Sequence, residues 1–163
     1  MDKKMQKRNE EHSRVLAWCK GDRAAADFLM IIGEISQIAD DFVDRDVPED
    51  QISGARMLRL LHLALVDLPT NPFYARHQAW FKPLFSTSLL IWEATGDWEK
   101  SDKPDTRIFA YAYREICEQI FFMAANIIGG IEYARQVIRD VHDFYHVEHA
   151  EDFKSWEKEN CHG

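Results

Sequence analysis

Residues 33–50 read GEISQIADDFVDRDVPED, a helical run whose end carries Asp40, Asp41 and Asp44 in a DDxxD pattern. Between Asp40 and Asp50 stand six acids and one base, Arg45, a local formal charge of −5. Charges this close repel unless water and counterions, nearby arginines or a divalent cation offset them. Within and upstream of the run, Phe28, Ile31, Ile32, Ile35, Ile38, Ala39 and Phe42 recur at the three-and-four spacing of one helix face. Glu34, Gln37, Asp40, Asp41 and Asp44 fall on the opposite arc. The spacing predicts a central helix from about Arg23 to Asp44, its apolar face in the core and its acidic stripe toward solvent or a polar cleft. A chain built around such a helix is expected to be all-α.

The rest of the chain supports that class. With 163 residues, 46% of them apolar, and only 7 Gly and 5 Pro, the composition suits one domain, residues 1–163, of long packed helices. A first helix over Glu10–Lys20 is closed by Gly21, and Asp22 caps the next. Pro48 opens a third helix to about Leu68, whose Met57, Leu58, Leu61, Ala64, Leu65 and Leu68 form an apolar face bordered by His62. Residues 69–72, PTNP, mark a turn before a short helix (Phe73–Trp80) and a longer one (Pro83–Trp98), with a polar loop at 96–105. A sixth helix is expected over Asp105–Ile128, broken by Gly129 and Gly130 from a seventh, Ile131 to about Glu148. Residues 150–163 read as a frayed, charged tail in which Phe153 and Trp156 are the residues able to dock. The expected architecture is a bundle of about six or seven helices.

Charge and cysteine usage exclude several function classes. A net charge of −8 without grouped Lys and Arg argues against a nucleic-acid face. Cys19, Cys117 and Cys161 are odd in number and widely spaced, which fits neither a disulfide framework nor a structural zinc site and suits a reducing cytoplasm. The basic start runs into acids rather than an apolar stretch, and the most apolar run, Ile120–Ile131, is too short to span a bilayer. A soluble, intracellular protein with no membrane partner is expected.

Asp40 and Asp44 project from neighbouring turns of one helix face, as hard divalent cations require of their carboxylate ligands. Magnesium commonly takes one or two such groups and shares the rest of its shell with water and phosphate, so this helix is half of a diphosphate site. Asp140 and Asp143 on the seventh helix, and Arg114 beside Glu115 and Glu118 on the sixth, are the residues that would complete it. The plain alternative is three solvated helix faces. His142, His146 and His149 repeat at helical spacing and suit a transition metal or, more simply, a solvated histidine face. No GxSxG or GxxxxGK pattern occurs, and no catalytic residue is assigned.

The DDFVD of Asp40–Asp44 resembles the first aspartate-rich motif of the isoprenoid (terpenoid) synthases, and IRDVHD, Ile138–Asp143, is more faintly similar to the second acidic motif of the squalene and phytoene synthase branch. That resemblance implies a terpenoid-synthase arrangement of helices, with magnesium held by Asp40, Asp41 and Asp44 and, through the second motif, by Asp140 and Asp143, around a diphosphate. Over more of the chain, GEISQIADDFVDRD, then ALVDLPTNPFY (Ala64–Tyr74), then IIGG (Ile127–Gly130), resemble a group of small phage and prophage proteins of unassigned activity. This second resemblance implies a bacterial cytoplasm during infection or lysogeny. The ExxE of Glu115 and Glu118 with the DxxD of Asp140 and Asp143 is similar to the acids of the helical nucleoside triphosphate pyrophosphohydrolases. The leading expectation is a magnesium- and diphosphate-binding helical protein. Its rival is a non-catalytic phage accessory protein that binds a host or phage protein through aromatics such as Trp92, Trp98 and Trp156, its acids keeping it soluble.

Overall fold

In the computed structural model, which describes residues 3–43, 54–113, 115–147 and 153–160, every regular element is helical. The order is α1 (Lys3–Trp18), α2 (Arg23–Val43), α3 (Gly54–His62), a π-helical stretch (Leu63–Asp67), α4 (Leu68–Thr70), α5 (Pro72–Glu99), α6 (Pro104–Tyr113), α7 (Glu118–His142), a second π-helical stretch (Asp143–Val147) and α8 (Phe153–Asn160). Because α4 is the last turn of the rod that α3 begins, seven helices stand among the described residues, within the expected number. No helix among them is long and apolar enough to cross a membrane. Contacts group the chain into two compact units, Met1–Gln78 and Ala79–Gly163, with the boundary inside α5.

In the first unit, α1 ends where Lys20 (φ 50°) and Gly21 (φ 81°) turn left-handed, and the Gly21 N–H donates to the Leu16 carbonyl at 2.9 Å. Asp22 then caps α2, its Oδ1 accepting the Ala25 N–H at 3.1 Å. The periodic face of α2 buries Ala25, Ala26, Phe28, Leu29, Ile32 and Ile38, and α1, packed on it, buries Val15 and Trp18, with Cys19 buried in the turn that follows. Burial, and secondarily the charge of Asp22, pushes the Cys19 thiol up to about 12, so it behaves as an inert apolar group. The turn at 69–72 is tied back to this core. Asn71 is buried and extended (ψ 126°), the backbone that a following proline favours, and its side chain caps α5 while bonding the start of α2.

In the second unit, the expected break before Pro83 does not occur: α5 runs through it. An interior proline removes a helix hydrogen bond and costs about 3 kcal/mol, which local packing must offset. Phe81, fully buried, and Phe85 stack across the proline at 6.2 Å. The expected sixth helix is instead divided. Ile116, Glu118, Gln119 and Ile120 N–H groups reach carbonyls three residues back, a tight turn that separates α6 from α7 and resets the helical phase. Residues 153–160 are not frayed: α8 docks on α6, with Trp156 buried against Tyr111 (5.3 Å), Phe153 against the same ring (5.4 Å) and Arg107 bonded to Glu157 at 2.8 Å.

The expected break at Gly129 and Gly130 is a sharp kink in α7. Gly130 has φ 79° and ψ 178°, a conformation essentially reserved for glycine. Gly130→Ala is therefore expected to destabilise the chain by roughly 1–3 kcal/mol. In Gly33, exposed inside α2, a Cβ meets nothing within 4 Å. Gly33→Ala should accordingly stabilise by about 0.5–1 kcal/mol. Urea titrations of both variants check the pair, and equal effects would contradict the kink.

Candidate functional site

The acidic stripe of α2 faces arginines from α3. Glu34 holds Arg59 through two parallel bonds, Nε to Oε1 at 2.8 Å and Nη2 to Oε2 at 2.9 Å, with Arg8 at 3.7 Å. In the last turn of α2, Asp41 accepts a hydrogen bond from Arg56. Arg59 extends the network to Asp67 at 3.4 Å, and Asp67 lies 3.2 Å from Nδ1 of His62. The Arg59 hydrogen bond holds the Glu34 carboxyl below its usual range, against the opposing effect of burial. Of the three ways to offset a crowded acidic stripe, this one uses arginine for Glu34 and Asp41. Arg56 and Arg59, one turn apart, carried the signal in the sequence. Asp40 is exposed on the last turn of α2, and Asp44 lies outside the described residues, as does Arg114.

The remaining sequence-derived site residues belong to the second unit. Asp140 is exposed, and Asp143, also exposed, lies 3.4 Å from Nδ1 of His142. His146 does not stand on a solvated face. Its Nε2 is 2.8 Å from Oε1 of Glu118, and both side chains are mostly buried. In an unbroken helix these two residues, 28 positions apart, would be separated by about 42 Å. The Gly130 kink folds α7 back as a hairpin and brings them together, with Phe121 edge-on to Tyr145 beside them at 6.3 Å. Sequence reasoning paired Glu118 with Glu115 and His146 with its own neighbours, and so missed this contact. His149 lies outside the described residues, and among those described no three His, Cys, Asp or Glu side chains converge as a metal site.

The third feature is apolar. The α3 segment buries none of its residues, and along the rod Met57, Leu58, Leu61, Leu65 and Val66 are 43–69% exposed, while Leu63 alone is fully buried. The helix face that periodicity picks out as apolar thus stands largely in water. Of the three tryptophans expected at the surface, Trp156 is buried and Trp92 and Trp98 are half-buried. Trp80, Phe109 and Tyr113 are the exposed large aromatics among the described residues. Within the second unit, Ile91, Trp98, Thr106, Phe109 and Tyr113 line a shallow groove of about 490 Å³ between α5 and α6.

No protein-family model, curated protein or solved structure matches this chain, so its functional reading rests on these three features.

Proposed function

We propose that this chain is a non-catalytic binding protein that docks a protein partner on the apolar face of α3, a host or phage protein in the bacterial setting its sequence resemblance implies. The observation that carries this reading is the run of five large apolar side chains exposed between Met57 and Val66. A contiguous apolar patch is costly to leave in water and is a recurrent mark of protein interaction surfaces. The acids fit it as well, because Glu34 and Asp41 already serve to hold α3 against α2. The test uses wild type and Leu58→Glu/Leu65→Glu as baits, followed by titration of any captured, identified protein with each purified bait. Exposed positions tolerate substitution within about 0.5 kcal/mol, so the variant should fold. Binding weakened about tenfold or more supports the reading, and equal binding or no partner overturns it.

A second reading, magnesium and diphosphate binding in a protein related in fold to the isoprenoid synthases, is favoured by one observation. Exposed Asp40 stands next to Asp41 with the Arg56 guanidinium beside it, and carboxylates with arginines are what a magnesium diphosphate needs. In this reading Asp44 joins Asp40 and Asp41 as a ligand, and Arg56 turns from Asp41 to phosphate. Magnesium with pyrophosphate at about a hundred times the dissociation constant stabilises by roughly 2.7 kcal/mol, some 5–10 °C for a chain of this length. A shift of that size in wild type and none in Asp40→Asn/Asp44→Asn is its expected result; no shift in wild type removes it.

A further inference from the structure

We infer that Glu118 and His146 form a proton-dependent clasp, their contact closing the α7 hairpin more firmly when the imidazole is protonated than when it is neutral. The placement is specific. Glu118 opens α7, His146 lies in the π-helical stretch that follows it, and the Gly130 kink alone makes them neighbours. Their 2.8 Å contact is largely shielded from water, with side-chain exposures of 17% and 25%, while the other histidine of this hairpin, His142, is 62% exposed. A neutral imidazole donates one N–H to the carboxylate; a protonated one makes the same bond charge-assisted and roughly twice as strong. Shielding is what lets that difference register, since an exposed pair would be screened.

Among the described residues, the titratable groups facing the pair are Glu115, from the turn before α7, and His142, whose ring lies 5.3 Å from that of His146 and whose Nδ1 lies 3.4 Å from Asp143. Burial raises the Glu118 carboxyl above its usual range, with His146 pulling the other way and Glu115 adding to the rise. A carboxyl raised in the folded state contributes stability that is fully present below its unfolded value and is lost as pH rises through the folded one. That contribution belongs to the carboxylate range and does not firm the clasp itself, because a protonated carboxyl has lost the charge that the imidazolium bonds; the strengthening comes from the proton on the imidazole while Glu118 is still ionised.

Amide hydrogen exchange along α7, corrected for intrinsic chemistry, tests this in wild type, Glu118→Gln and His146→Gln between about pH 5 and 8. Wild-type protection should fall about threefold or more across the range, and both variants should lose that slope. A flat wild type, an unchanged slope in the two variants, or a slope that vanishes in His142→Gln but persists in His146→Gln overturns the proposal. A merely structural contact would lower protection at every pH without changing its slope.

Discussion

Phe28→Ala is expected to destabilise the chain by about 3–5 kcal/mol, the largest effect of any single truncation in the first unit. Phe28 is fully buried on α2 and meets Phe73 at 5.7 Å and Tyr74, stacked, at 5.8 Å, the two aromatics that begin α5. Removing the ring takes away its transfer free energy and leaves a void that Phe73, itself packed on His77 at 4.9 Å, is not free to fill. Ile31 and Ile35, half-buried on the same helix, should cost less when truncated. Urea unfolding followed by circular dichroism measures the difference. A cost below about 1 kcal/mol would mean that the site collapses readily and that α2 does not organise this core.

Helix α2 was legible because three signals agreed along it: the apolar period, the glycine stop before it and the Asp22 cap. What stayed hidden had physical reasons. The face of α3 is as periodic as that of α2, yet periodicity states only that a face is apolar, not whether anything covers it. Pro83 reads as a breaker because its local cost is visible in the sequence, whereas the Phe81–Phe85 contact that spans it is not. The turn between α6 and α7 carries no glycine or proline and is made of hydrogen bonds three residues back, which leave no compositional mark. Glu118 and His146 are 28 positions apart and became neighbours only through a kink whose angle no spacing rule supplies. For the acidic stripe the sequence posed the question correctly, with arginine, cation and water as the three answers. Choosing arginine for Glu34 and Asp41 needed the packing of α3 on α2.

Asn71→Ala should cost about 2–4 kcal/mol, combining a lost helix cap with a buried polar group left unsatisfied. The Asn71 side chain uses both ends. Its Oδ1 accepts the Phe73 N–H at 2.9 Å and the Tyr74 N–H at 3.0 Å, satisfying the first amides of α5 that have no helical partner. Its Nδ2 donates to the Ala24 carbonyl at 2.9 Å, so one amide joins the start of α5 to the start of α2 across 47 positions of chain. Pro72 completes the arrangement, since the first helical position needs no N–H and its ring fixes φ for the turn that follows. Asn71→Asp separates the two roles. At an exposed cap Asp and Asn are nearly equivalent, but here a carboxylate oxygen would replace Nδ2 and point at the Ala24 carbonyl, acceptor against acceptor, in a residue only 7% exposed. Asn71→Asp is therefore expected to lose about 2 kcal/mol or more although its cap is intact, and the same denaturant series measures it. A near-native Asn71→Asp would show that the tie to Ala24 contributes nothing and that α5 is held to α2 by Phe28, Phe73 and Tyr74 alone.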